Sequence, residues 1–423
     1  MSHQPGTTLL RTPTSSTTGP NWIANGIQQK MNQHDEAIRK AEACLAEALR
    51  GAGFSWDDCV KAYAGLRLKG GLDAKIRAFE VQPWQMGGGD DPRADAASSF
   101  LESGRQFGVA LEFSVLLGDS LLDALPRALE DLEKALVTLH TAMRVAGWSS
   151  RPSLRDIEVR AAHGVGYIYL TWGELFGPFM EQIYPEKGSI DAVGAGLSAA
   201  GEMKSGVTGR DSLRLAGLYF ELEGCLAAKY GMKEQSLDTF ANAAHQYARA
   251  DDFQAAARVA EEASKLAREL GVRQREERAY EMQSDFLLHA AEATAKPEEK
   301  SHLATRAALA LFSAGALLAD EEMQKANAAD LITKGAELIA LLPEGNTTVV
   351  LNDSVVRVDP IVLDALRKAE GLYEEVGDFR RADSQHYLRR RYARRLTPIW
   401  HPLFWLSLLL DCVWGYGTRP LRL

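Results

Sequence analysis

Two carboxylate–imidazole pairs stand one helical turn apart in this chain, Glu299-x-x-His302 and Asp383-x-x-His386. On a helix that spacing points both side chains the same way, and facing helices that carry it, with further glutamates, hold a pair of metal ions. Asp383 and His386 lie among arginines, so the second half of such a site is missing and no metal ligand is expected. His163-Gly164-Val165-Gly166 begins like a nucleotide-binding turn but has no third glycine, preceding strand or downstream acid, which leaves close helix packing as its reading. Lys204-Ser205 lacks the glycine spacing of a phosphate loop, and neither G-x-S-x-G nor H-E-x-x-H occurs. Trp172, Phe176, Phe179, Met180 and Tyr184 form an aromatic stripe at helical spacing, the pattern of a core face. No catalytic, cofactor-binding or metal-ligating residue is expected. An enzyme on this chain would have to assemble distant Glu and Arg residues that no motif advertises.

The residues that point to a binding function lie at the carboxyl end. Between Arg380 and Arg395 stand seven arginines (Arg380, Arg381, Arg389, Arg390, Arg391, Arg394 and Arg395) against one acid, Asp383. Tyr387, Leu388, Tyr392 and Leu396 mark an apolar edge on the same helix, which makes it basic and amphipathic, suited to anionic lipid head groups or an acidic partner. Thr397-Pro398 stops that helix, and Ile399 to Trp414 then reads IWHPLFWLSLLLDCVW. From Pro402 to Trp414 a helix would be about 20 Å long, short of a hydrocarbon core of about 30 Å, so an in-plane or re-entrant anchor is expected rather than a span. Arg389, Arg390, Arg391, Arg394 and Arg395, with Leu403, Phe404, Trp405, Leu406 and Trp414, are the candidate membrane- or partner-binding residues.

The elements that must position this end are helical. The net charge is -9 even with the arginine block, so the body is acidic and nucleic-acid binding is not expected. Cys44, Cys59, Cys225 and Cys412 are too widely spaced for a disulfide framework or zinc knuckle, and a reducing, cytosolic setting fits. The first residues lack the apolar core of a signal peptide, and PGTTLLRTPTSSTTGP has the composition of a disordered tail. Ile38, Ala41, Cys44, Leu45 and Leu49 then recur at three- and four-residue spacing until Gly51-Ala52-Gly53, and a second helix starts at Ser55. Three glycines between Pro83 and Pro92 mark a linker. From about Ala94 to Leu342 helical patterns follow one another, broken by Gly and Pro at hairpin intervals. Thr347 to Val358, β-branched on both sides of Asn352-Asp353, reads as an inserted β-hairpin.

Within the helical stretch Phe240, Ala244, Tyr247, Ala256, Ala260 and Ala263 alternate large and small residues around Asp251-Asp252-Phe253. Phe220, Gly224, Ala227, Ser236, Phe240 and Ala243 fit the same offsets more loosely. At 126 residues further on, Leu366, Ala369, Tyr373, Gly377-Asp378-Phe379 and Ala382 repeat the spacing without a gap. These residues resemble the tetratricopeptide superfamily, although its usual Trp and closing Pro are absent. The resemblance implies stacked helical hairpins with a concave face for a protein or peptide partner.

Two shorter resemblances add detail. AIRKAEACLAEALRGAGFSWDDCVKAY, Ala37 to Tyr63, resembles a small two-helix domain common in bacterial and phage proteins, which implies no chemistry. LLLDCVWGYGTRPLRL, Leu408 to Leu423, resembles the connector with which bacterial pentapeptide-repeat and related membrane proteins lead into a two-helix ion-channel domain, but no such helices follow. The expected organisation is an all-α, tetratricopeptide-like helical-hairpin array with one inserted β-hairpin. A disordered tail (1-31), a small helical pair (32-82) and a linker (83-93) precede the array (94-396, hairpin at 347-358), and a membrane-proximal tail (397-423) follows. The expected role is that of a non-enzymatic interaction or sensor module at the inner membrane face. The cytosolic regulatory domain of a truncated channel-like membrane effector and a helical enzyme whose site no motif reveals are the alternatives.

Overall fold

The computed structural model describes residues 19–67, 95–114, 121–147, 152–176, 209–340, 348–351, 354–357 and 359–396. Thirteen α-helices lie among them: α1 (Gly19–Ala52), α2 (Trp56–Arg67), α3 (Ala97–Ser114), α4 (Leu121–Gly147), α5 (Arg155–Leu175), α6 (Gly209–Lys229), α7 (Lys233–Arg249), α8 (Phe253–Leu270), α9 (Arg273–Ala293), α10 (Pro297–Leu318), α11 (Lys325–Ala340), α12 (Asp359–Glu375) and α13 (Phe379–Leu396). From α4 onward each helix packs against the one before it, while α1 lies on α3 and α2 on α4. The result is a repeat-like helical array. Between α11 and α12, β1 (Thr348–Leu351) pairs antiparallel with β2 (Ser354–Arg357), Leu351 opposite Ser354 and Thr348 opposite Arg357.

Local sequence explains where these helices start and stop. Asp252 caps α8, its carboxylate accepting from the Ala255 N–H at 3.3 Å, and Gly271 closes it in the left-handed conformation. Between these ends Ala256, Ala257, Val259, Ala260, Ala263, Leu266 and Ala267 are buried, a single face at three- and four-residue spacing. The entry to α2 is a reciprocal cap. The Asp58 N–H donates to Ser55 Oγ, and the Ser55 N–H donates back to the Asp58 carboxylate. α1 begins at Gly19, within the stretch 1-31 that composition reads as a tail. Proline suits a first helical turn, where its missing N–H goes unused, and no further proline follows Pro20 before Ala52.

One turn recurs five times among the described residues, first at Gly53 (φ +67°), where the Phe54 N–H reaches the Leu49 carbonyl at 3.1 Å. Gly231, Asp251, Gly271 and Gly377 all have positive φ, and the first three stand twenty residues apart. At each, the following N–H reaches back to a carbonyl five residues earlier: Met232 to Ala227, Asp252 to Tyr247, Val272 to Ala267 and Asp378 to Tyr373, at 2.8–3.0 Å. This is the bond that ties off orphan carbonyls where a helix ends in a left-handed residue. The consecutive helices α6, α7 and α8 leave by the same turn, so over this stretch the structural repeat is one helix plus one turn.

Between neighbouring helices, large side chains seat on glycines. A Cβ on Gly217 would lie 3.0 Å from the Tyr247 ring, one on Gly224 2.7 Å from Phe240, and one on Gly166 3.0 Å from Phe220. Glycine lets the backbones approach while the ring fills the space between them. The His163-Gly164-Val165-Gly166 stretch lies inside α5, where Leu139 and Phe220 cover its glycines.

Candidate functional site

The arginine helix α13 packs antiparallel on α12, and two of its arginines, Arg381 and Arg389, are paired with acids of α11 and α12. Arg381 pairs with Asp330 of α11 at 2.9 Å and with Asp378 at its own N-terminus. Arg389 pairs at 3.1 Å with Glu370 of α12, the same carboxylate that meets His386 at 3.1 Å. Tyr392 is buried and donates to Asp359 at the start of α12, 2.9 Å away. Tyr392 and the half-buried Leu388 form part of the core with Val362 and Leu366. Of the apolar edge of α13, Tyr392 and Leu388 are turned toward α12, Tyr387 is half-buried and Leu396 is exposed. On the other side Arg380 and Arg391 are exposed, and Arg390 and Arg394 are half-buried. Arg395 lies in the last turn of α13. Leu403, Phe404, Trp405, Leu406 and Trp414 lie outside the described residues.

A second set of charges stitches the array, and spacing alone did not disclose it. Acids on one helix pair with cations two helices further on: Glu174 of α5 with Arg249 of α7, Glu221 of α6 with Arg258 of α8, Asp238 of α7 with Arg275 of α9, Glu261 of α8 with Arg306 of α10, Asp285 of α9 with Lys334 of α11, and Asp330 of α11 with Arg381 of α13. In all six the acid is on the earlier helix. Alternate helices are thus neighbours in a layer, and the array carries a consistent charge direction along its length.

At two places a tyrosine of the intervening helix joins the pair. Tyr247 of α7 donates its hydroxyl to Glu221 at 2.9 Å while Arg258 grips both carboxylate oxygens. Tyr373 of α12 donates to Asp330, which Arg381 also holds with two bonds. Burial and the adjoining carboxylate push the Tyr247 phenol far above the ordinary tyrosine range, and they push Tyr373 up to about 12. Both hydroxyls are locked as donors at neutral pH.

No protein-family model matches this chain, and no curated protein matches it. Its chemistry has to be read from its own side chains.

Elsewhere imidazoles meet single carboxylates or phenols. His163 Nδ1 lies 2.9 Å from the buried Glu223, whose hydrogen bond raises the imidazole above its usual range. His140 accepts or donates at 3.0 Å to the Tyr219 hydroxyl inside a buried cluster with Tyr63 and Tyr169. Glu299 accepts from Gln254 and Thr294, while His302 is exposed. Among the described residues no three His, Cys, Asp or Glu side chains converge as a metal site would require. Trp172 and Phe176 stack in the core with centroids 4.5 Å apart. Phe179, Met180, Tyr184 and Lys204 lie outside the described residues. Among those described, α10 alone is long and apolar enough to cross a membrane, and most of its apolar stretch is buried within the array.

Proposed function

We propose that this chain is a non-enzymatic interaction module. Its helices form a tetratricopeptide-like array that holds a protein or peptide partner, and the basic end of α13 with the apolar segment after it brings the module to an anionic membrane face on the cytosolic side. The observation that carries this reading is the recurrence of one device: a carboxylate, a tyrosine and an arginine from three consecutive helices, at Glu221–Tyr247–Arg258 and again at Asp330–Tyr373–Arg381. Side chains spent in this way fix helix positions along a solenoid, and a solenoid's use is the extended surface it presents. The exposed Arg380 and Arg391 leave positive charge on the outer side of α13, which precedes IWHPLFWLSLLLDCVW in sequence.

Flotation with vesicles of phosphatidylserine and phosphatidylcholine tests the membrane half of the proposal. The full chain is expected to float with anionic vesicles at low salt, to lose part of that binding at high salt, and to lose all of it on deletion of residues 397–423. Each arginine near the surface contributes about 1 kcal/mol, fading within a Debye length of about 8 Å at physiological salt. Replacing Arg390, Arg391, Arg394 and Arg395 with Gln should reproduce the high-salt result. Arg389 is kept because its loss would also free Glu370. A full chain that stays in the soluble fraction with anionic lipid in excess overturns the membrane reading.

A further inference from the structure

Helix α1 meets the rest of the array through a buried ion pair. His34 of α1 and Asp131 of α4 are only 6% and 3% exposed, and His34 Nε2 lies 3.1 Å from Asp131 Oδ2. Ser114, fully buried at the end of α3, donates its hydroxyl to the same oxygen. This is not a nucleophile's arrangement, which needs the imidazole between hydroxyl and carboxylate; here the carboxylate is in the middle. The trio ties three helices at one point.

The remaining contacts of α1 make that point matter. Among its described side chains, those of residues 28–52, the buried apolar ones are small: Ala37, Ala41, Ala48 and Ala52, with Ile38, Leu45 and Leu49 only partly buried. Alanines each remove little apolar surface from water, so along this stretch the polar contacts of α1 add to a seat built mainly of small side chains. One buried hydrogen bond adds to it, from Ser103 Oγ of α3 to the Ala41 carbonyl at 2.8 Å. The buried His34–Asp131 pair adds a charge-assisted contact to that seat.

The charges around His34 are few. Asp35, next to it on α1, is exposed and 3.4 Å from Nδ1. From α4 come Asp131 and, further off, Arg127. From α3 comes the neutral Ser114. The charged residues of α3 are engaged elsewhere: Glu102 acts on Cys44 further along α1, Arg105 pairs with Glu102, and Glu112 accepts from Tyr167 of α5.

We propose that the seat of α1 on α3 and α4 is a proton-controlled latch, closed while His34 is an imidazolium against Asp131 and loosened when His34 becomes neutral. The direction follows from linkage. The Asp131 hydrogen bond is the largest influence on His34, and with Asp131's charge and Asp35 it outweighs burial and Arg127 to raise the imidazole above its ordinary 6.5. The docked state then holds its proton more tightly than the undocked one, so the stabilisation is complete below about pH 6.5 and is lost as pH rises through the docked value. Above it, Asp131 is left buried with a neutral partner, and α1 opens away from the face of α3 around Ser103.

Hydrogen–deuterium exchange of the full chain at pH 6.0 and 8.5, corrected for intrinsic exchange rates, reads the latch directly. Peptides from residues 28–52 should show an opening constant that rises about threefold or more at pH 8.5, while peptides from α8 stay unchanged as an internal reference. In His34→Gln the α1 opening constant should be raised at both pH values and no longer differ between them. If that variant does not fold, Asp131→Asn serves instead, with the same flattened response expected because His34 returns toward its ordinary range. Equal opening of α1 at the two pH values in the unaltered chain overturns the proposal. So does a pH response that survives unchanged in the folded variant.

Discussion

Tyr247 and Tyr373 stand 126 residues apart and occupy the same structural position. Each lends its carbonyl to the N–H five residues on across a left-handed turn, and each lends its hydroxyl to a carboxylate of the preceding helix that an arginine of the following helix also holds. Asp252 and Asp378, five residues on from each tyrosine, both cap the next helix, accepting from the N–H of Ala255 and Arg381. The two sites differ in water. The Glu221 side chain is 7% exposed and that of Asp330 is 52% exposed.

That difference sets the first prediction. Removing the hydroxyl of Tyr247 leaves a buried carboxylate one donor short, which costs about 1–3 kcal/mol, whereas water can replace the donor lost at Asp330. Tyr247→Phe should therefore lower the urea midpoint clearly, and Tyr373→Phe by about 1 kcal/mol or less, with the denaturant slope unchanged in both. Equal losses would mean that the two carboxylates are equally solvated. The full truncations Tyr247→Ala and Tyr373→Ala should each cost about 3 kcal/mol through the cavity they leave.

Glycine-to-alanine exchange supplies a second prediction, because the same methyl has three outcomes in one array. At Gly371, inside α12, a Cβ would meet nothing within 4 Å, so Gly371→Ala should stabilise by about 0.5–1 kcal/mol through the unfolded chain. At Gly377, six residues later, φ is +80° and alanine should cost about 1–2 kcal/mol. At Gly224 the backbone is helical but the Phe240 ring lies 2.7 Å from the new methyl, so the ring must give way at a cost of about 1–3 kcal/mol. Thermal unfolding of the three variants should rank Gly371→Ala above the unaltered chain and the other two below it.

Much of this array was legible in its residues. The turns at Asp251-Asp252-Phe253 and Gly377-Asp378-Phe379 and the Tyr247/Tyr373 equivalence follow from short-range chemistry that a linear spacing records. The carboxylates were not legible. Glu221 lies 26 residues before Tyr247 and Asp330 lies 43 before Tyr373, since β1 and β2 are inserted in the second interval, so no fixed spacing marks the acid. The fate of the arginine face was hidden for a related reason. An amphipathic pattern shows that Leu388 and Tyr392 share an edge with each other, but not that Val362 and Leu366 of α12 cover that edge. The early start of α1 was hidden by composition, since Ser, Thr and Pro dominate the residues just before it.

The last prediction concerns alkaline pH. In the unfolded chain Tyr373 loses its proton near pH 10, but in the array burial and the Asp330 carboxylate hold the phenol up to about 12. Between those values the unfolded state binds fewer protons than the folded one, so by linkage stability falls as pH rises. The contribution is complete below pH 10 and gone above the folded value. Tyr247 acts in the same direction, with its own phenol raised further by deeper burial and Glu221. Urea titrations at pH 9.0, 10.5 and 11.5 should show a steady loss in the unaltered chain. Tyr373→Phe should flatten part of that loss, and Tyr247→Phe with Tyr373→Phe together should flatten more. A slope as steep in the double variant as in the unaltered chain would place the alkaline transition on the other tyrosines or the lysines and would remove Tyr247 and Tyr373 from its cause.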